Sequence, residues 1–300
     1  MTTTLSRHST EPAAVRAPEA PRRRRVFNAE RRPGKLTYLS LLALAFFAAF
    51  PLYWMLVVGS HDNGVLGQVP PPLGLGGNLW ANVERAFGTV PFFKALANSF
   101  MVSGAITISV VLFSTLAGFA FAKLTFKGRN AMLLIIIATM MIPNQLGVIP
   151  LYMLMAKIEW TGQIYAVIVP AMVNAFGVFF MTQYLSEAVP TELLEAARAD
   201  GCTTIRIFWH VVLPAAKPAA AVLGMLTFMT AWNDFFWPLV VLTPEDPTVQ
   251  TALSTLASGY VADFSLTLTG AFIATVPLLV VFVVLGRQII GGIMQGAVKG

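Results

Sequence analysis

The sequence predicts an all-α integral membrane protein with six transmembrane helices, both termini cytoplasmic, and one polar cytoplasmic element between spans four and five. Three observations lead there. The chain is 56% hydrophobic and 11% charged, with a mean hydropathy of +0.71, too little polar surface to cover a water-soluble globule of 300 residues. Uncharged stretches long enough to cross a bilayer recur along it, and roughly 20 apolar residues suffice for one crossing. Lys and Arg concentrate in alternate loops, the bias that orients spans with their basic flanks inside.

The elements follow in order. Residues 1–35 hold nine Lys/Arg and three Asp/Glu, a net of +6, whereas the rest of the chain holds eleven of each. The pI of 9.7 is therefore owed to one Pro/Ala/Arg-rich segment. That segment reads as a disordered basic cytoplasmic tail, an orientation signal and not a nucleic-acid-binding surface. It is no secretory signal, because the apolar run begins only at Leu36 and is too long for one. Residues 36–300 form the six-span domain, with spans at 36–58, within 95–122, 131–156, 161–186, 218–242 (interrupted by Asp234) and within 264–286.

Between the first two spans, Pro70-Pro71-Pro72 and several glycines precede NLWANVERAF, an irregular outer segment and then a short amphipathic helix. The stretch TPEDPTVQTALSTLASGYVADF, before the last span, reads as a polar outer loop. With the N-terminus inside, cytoplasmic segments carry seventeen Lys/Arg and the outer loops three, Arg85, Lys94 and Lys157. No internal repeat is evident. A lone cysteine, Cys202, excludes an intrachain disulfide, and His8, His61 and His210 are too scattered for a metal site.

The stretch 190–214 stands apart from the apolar runs around it by its charge. Leu193, Ala196, Ala197 and Asp200 recur at i, i+3, i+4 and i+7, one face of a short helix that Thr191 can cap. Gly201 ends that helix, because glycine tolerates the left-handed conformation a helix C-terminus often needs. Thr203 or Thr204 can cap a second helix with Ile205, Phe208 and Val212 on one side, after which Pro214 opens the next span. Two adjacent alanines leave a face without bulk, and Glu195 sets a charge beside it. Periodicity alone equally allows an amphipathic loop lying on the membrane surface.

The order Glu195-Ala196-Ala197, three residues, Gly201, nine residues, Val211-x-Leu213-Pro214 resembles the EAA loop of ATP-binding-cassette importer permeases, with Val in place of the usual Ile. MIPNQLGVIPLYMLM, AWNDFFWPLVVL and the terminal GAVKG are similar to the carbohydrate branch of that family, the smaller maltose-type permease, and the resemblance covers residues 36–300. It implies a bacterial inner-membrane subunit that is not an enzyme. The loop would be a coupling helix docking on a separate ATPase through Glu195, Ala196, Ala197, Asp200, Gly201, Leu213 and Pro214. The implied partners are a second permease subunit, two ATPase subunits and an extracytoplasmic solute-binding protein, with a sugar or oligosaccharide as cargo. No cofactor would be bound by this chain, ATP being used by the partner. The single Gly-Lys pair, Gly34-Lys35, is followed by Leu36, so no Gly-x-x-x-x-Gly-Lys-Ser/Thr phosphate loop is present. The ending, 295–300, implies contact with the ATPase, where the plain alternative is a frayed terminus.

Polar residues at membrane depth are the candidates for the solute path: Asn144 and Gln145 beside Pro143, Asn174 after Pro170, and Asn233-Asp234. A carboxylate at a helix centre costs about 2.5–3.5 kcal/mol on insertion scales, so Asp234 needs a partner or an aqueous cavity. These groups suit a polyhydroxylated solute, and Trp232, Phe235, Phe236 and Trp237 can offer apolar faces to sugar rings. Inter-helix hydrogen bonding and an interfacial aromatic belt are the structural alternatives. An ion-coupled secondary transporter would need repeats and embedded ionisable groups, of which Asp234 alone qualifies. An intramembrane protease would need an embedded histidine base, and none of the three histidines lies in a span.

Overall fold

The computed structural model describes residues 34–259 and 262–297. The tail read as disordered falls, up to residue 33, outside the described residues, as do 298–300 of the terminal motif. Every regular element among the described residues is helical. Four helices are long and apolar enough to cross a membrane, or up to six if each of two bent pairs is one span.

The chain divides into two compact units, residues 1–48 and 49–300. The described part of the first is the start of α1 (Lys35–Gly59), whose Leu36, Leu39, Leu42 and Phe47 are exposed, as befits side chains solvated by hydrocarbon rather than water.

In the second unit the central pillar is α3 (Phe92–Lys123), flanked by α7 (Ala175–Ala188) and α10 (Leu213–Trp232). Val102, Ile106, Val110 and Phe119 share a core with Met181, Leu185 and Leu223. The helices approach closely through small residues. A Cβ on Gly118 would stand 2.7 Å from the Cβ of Met181, and one on Gly177 would stand 2.3 Å from Ser114 Oγ. In lipid, where burial of apolar surface drives little association, such close packing is what holds helices together.

At the N-terminal end of α3 a second core forms among α2 (Leu79–Thr89), α12 (Val249–Ala257) and α13 (Phe264–Ala297). Here α2 is the short amphipathic helix expected from NLWANVERAF. Buried Asn82 donates to the carbonyls of Gly59 and His61, both at 2.9 Å. Arg85 pairs with Asp263, whose carboxylate caps α13 by accepting from the Leu266 N–H at 2.9 Å. Helix α12 corrects the expectation of a polar loop. Val249, Ala252 and Leu256 are buried, a helical i, i+3, i+7 stripe masked by the Thr and Ser between them.

The middle apolar segments are broken. α4 (Arg129–Thr139) meets the unit formed by a 3₁₀ turn, Asn144–Gly147, and α5 (Val148–Lys157) at 89°, and α6 (Tyr165–Ala171) meets α7 at 41°. Pro143 stands at the first break, where its missing N–H and fixed φ end the helical ladder. Pro150 lies in the first turn of α5, where no donor is required. The fifth segment breaks too: α10 ends at Trp232 and α11 (Phe236–Val241) resumes after 233–235.

Candidate functional site

Two sets of candidate residues have distinct positions. The first is the helix–glycine–helix. α8 (Thr191–Ala199) starts after Pro190, which holds the cap position at φ −60°, ψ 143° with no side-chain cap bond. Thr191 is thus the first helical residue and not the cap, because the proline already supplies the extended backbone. The C-terminus is a Schellman motif: Cys202 N–H donates to Ala197 O at 2.9 Å and Gly201 N–H to Arg198 O at 3.0 Å. It requires the left-handed φ of +78° found at Gly201, where an added Cβ would meet nothing within 4 Å. Substitution there strains the backbone without a clash. Thr203 is the cap of α9 (Thr204–Ile207), accepting from Arg206 N–H.

The α8 face of Leu193, Ala196, Ala197 and Asp200 lies largely outward, and Leu194 is the residue that turns in. Leu194 is 2% exposed while Leu193 is 54% exposed; Glu195, Ala196 and Asp200 are exposed and Ala197 half-buried. On the second helix Ile205 is 72% exposed, and Ile207, Phe208 and Val212 are buried. Of the side read as Ile205, Phe208 and Val212, only Ile205 departs, with Ile207 buried in its stead; Phe208 and Val212 lie in a π-helical turn, Phe208–Val212. That turn also changes the reading of Pro214. Thr204–Trp232 is one apolar helix, and Pro214, in the first turn of α10, follows a widened turn that tolerates a residue unable to donate. Leu213 is half-buried and Pro214 exposed.

Sequence reasoning missed what anchors this element. The Phe208 ring faces Phe119 of α3, Leu194 and Cys202 join the main core, and Lys123 Nζ donates to Ser186 O at 2.9 Å. The signal was present in Phe208 and Val212, but only their contact across the fold reveals α3 as the support.

The second set sits at the three helix breaks. Asn144 and Gln145 are exposed in the 3₁₀ turn. Asn174 is the N-cap of α7, its Oδ1 accepting from Gly177 N–H at 2.6 Å. Asn233 donates to Met229 O at 2.8 Å and accepts from Gln250 Nε2 at 3.3 Å. Half-buried Asp234 accepts from the backbone N–H groups of Phe236 and Trp237 at the start of α11, so the intramembrane acid has partners. No hydrogen bond joins the 144–145, 174 and 233–234 sites to one another among the described residues. Two of the four aromatics are committed elsewhere. Trp232, 2% exposed, donates to Ala274 O at 3.2 Å. Trp237 donates to Ala166 O at 3.0 Å, tying α11 to α6. Phe235 and Phe236 remain exposed. Gln250 was overlooked because α12 was read as a loop. No group of three or more potential metal ligands exists among the described residues.

The chain belongs to the family of binding-protein-dependent transport system inner membrane components, whose model matches residues 111–293. It is thus a multi-pass permease component and not an enzyme, and membership favours this reading over an ion-coupled carrier. The arabinooligosaccharides transport system permease protein AraQ of Halalkalibacterium halodurans is 35% identical over 265 residues, covering 86% of this chain and 93% of that protein. The lactose transport system permease protein LacG of Rhizobium radiobacter is 32% identical over 272 residues, covering 90% and 97%. The sn-glycerol-3-phosphate transport system permease protein UgpE of Yersinia enterocolitica is 29% identical over 257 residues, covering 82% and 90%. In fold, the chain matches a solved bacterial ABC transporter involved in import of the acidic polysaccharide alginate, with a TM-score of 0.71 at 22% identity, covering 84% of this chain and 94% of that one.

Proposed function

We propose that this chain forms one half of the translocation pathway of an ATP-driven importer of sugars or related polyols. It crosses the membrane six times, each bent pair being one span, with both termini and the 190–214 loop in the cytoplasm and residues 1–35 as a basic tail. A second permease subunit completes the pathway, two ATPase subunits dock below, and an extracytoplasmic solute-binding protein delivers the cargo. The chain itself binds no nucleotide. The substrate class is supported by the names of its relatives, whose cargoes are polyhydroxylated: arabino-oligosaccharides, lactose and glycerol phosphate. Asn144, Gln145, Asn174, Asn233 and Asp234 border the path at the helix breaks, where irregular backbone at membrane depth suits a water-filled cavity.

One observation carries the coupling assignment: the exposed edge of Leu193, Glu195, Ala196 and Asp200 stands on Leu194 and Phe208, both 2% exposed. The outward edge is free to dock while the inward edge is locked to the bundle. Docking uses the flat Ala196/Ala197 surface with Glu195 meeting a basic residue of the ATPase, Gly201 setting the corner, and Leu213-Pro214 leading into the span. Truncating one partner of a buried interfacial charge pair costs about 2–5 kcal/mol. Glu195→Ala should therefore release the ATPase from purified complexes and abolish ATP-dependent uptake of a labelled sugar in vesicles, while the partner permease stays bound. Undiminished uptake with the ATPase retained would refute the assignment.

A further inference from the structure

The short linker between α3 and α4 carries a cluster of charge that the transport reading leaves unused. Lys123, Lys127 and Arg129 fall within seven residues, yet the ion pairs found among the described residues, Arg85–Asp263 and Lys94–Asp246, lie elsewhere. Lys123 is occupied by the Ser186 carbonyl. Arg129 spends Nη1 on Leu124 O at 3.2 Å and Nε on Asn130 Oδ1 at 3.4 Å, which fixes the plane of the guanidinium. Lys127 is exposed. Thr125, Phe126, Gly128, Arg129, Asn130 and Ala131 line an open cleft of ≈ 360 Å³. The cleft thus offers an oriented guanidinium, a hydroxyl and an amide, Lys127 is an exposed cation on the same linker, and no ion pair to a carboxylate involves these groups.

Directly beyond it the surface changes character. Met132, Leu134 and Ile135 of α4 are 51%, 67% and 64% exposed. Because α3, and α4 together with α5, have the length and hydropathy of membrane segments, the five residues between α3 and α4 are placed by this reading at the headgroup level. A cationic, hydrogen-bonding cleft that passes within three residues into an exposed apolar wall has the shape and polarity of one amphiphile. We propose that this site holds an anionic phospholipid, its phosphate on Lys127 and Arg129 and its acyl chains along α4. A free phosphate would use the cleft but not the wall. The inference needs only a membrane-embedded chain and is independent of which face the linker occupies.

The test uses the full complex, with a photoreactive benzoylphenylalanine at Met132, in vesicles of phosphatidylcholine alone or mixed with phosphatidylglycerol. Cross-linking to phosphatidylglycerol is expected to exceed that to phosphatidylcholine in the mixed vesicles. Each basic group near a membrane surface strengthens anionic-lipid binding about fivefold. A Lys127→Gln, Arg129→Gln variant should therefore lower the phosphatidylglycerol yield by roughly twenty-five-fold. Lys217→Gln, a cation on α10, should leave it unchanged, and inorganic phosphate should not compete. Equal yields from the two lipids, an unchanged yield in the double variant, an equal loss in Lys217→Gln, or displacement by inorganic phosphate would each overturn the lipid site. Co-purification of the partner subunits with the double variant excludes misassembly as the cause of a loss.

Discussion

The rings of Phe119 and Phe208 lie 6.1 Å apart at an interplanar angle of 38°, and this contact joins the last turns of α3 to the π-helical turn behind the Gly201 corner. The corner is therefore fixed to the central pillar of the bundle, and not only to the helices that precede and follow it in sequence. Truncating a buried Phe to Ala costs about 3–5 kcal/mol. Phe208→Ala should leave the exposed Glu195 edge in place and so retain the ATPase, yet cut uptake several-fold by loosening the joint. Phe208→Leu, which refills most of the volume, should recover most of the uptake. Paired pull-down and vesicle-uptake measurements check this, and loss of the ATPase from Phe208→Ala would show that the ring supports docking itself.

Gly201 has φ +78° with open space where a Cβ would stand. The cost of a side chain is then the backbone penalty of about 1–2 kcal/mol. Gly201→Asn should be the mildest replacement, because Asn visits this region most readily, and Gly201→Val the most damaging. ATPase retention on the purified permease should fall in that order. A ranking by side-chain volume instead of left-handed tolerance would point to a clash in the docked state.

Asp234 caps α11, and a lost cap costs about 0.5–2 kcal/mol. Asp234→Asn keeps an acceptor oxygen, so it should assemble normally, whereas Asp234→Ala should lower the amount of complex recovered from membranes. If uptake by Asp234→Asn also stays normal, the charge has no part in handling the solute and the residue is purely a cap. Asn233→Ala removes the bond from Gln250, and Gln250→Ala should give the same phenotype. Divergent uptake in these two variants would assign Asn233 a role of its own.

Cys202 is the only thiol in the chain and is half-buried against the main core. A membrane-impermeant maleimide should leave it unlabelled in intact cells and label it slowly in inside-out membranes, faster once the ATPase is stripped. Rapid labelling of intact cells would invert the orientation proposed above.

Much of this was legible in the residues, and what was not has physical causes. Length and low charge marked the four long apolar helices and the two bent pairs, because desolvation allows little else at membrane depth. Gly201 was readable because one backbone conformation admits few residues. Prolines and polar side chains marked the breaks, yet the angles of 89° and 41° depend on packing that no local signal encodes. On the second short helix Phe208 and Val212 were legible as one buried side, whereas Ile205 faces out and Ile207 is buried in its stead. Helix α12 was missed because Thr251 and Thr255 satisfy their hydroxyls on the carbonyls of Thr248 and Thr251, which lets a polar sequence form a packed helix. The capping role of Asp234 was hidden behind the larger question of why an acid lies there at all.

The continuity of α9 and α10 through the π turn has a mechanical meaning. The 29 residues of Thr204–Trp232 make one rod about 43 Å long at 1.5 Å per residue, with Ile205 at one end and Trp232 at the other. The π turn, Phe208–Val212, and Pro214 and Pro218 just after it are the places where such a rod can bend. Beyond them it can only tilt or turn about its own length, so motion entering α10 is carried to the far end. There Trp232 is held by the Ala274 carbonyl, and the first compliant point beyond it is the break at 233–235. Under the coupling proposed above, the stroke would be taken up where Asn233 and Asp234 stand, a helix length from where it begins.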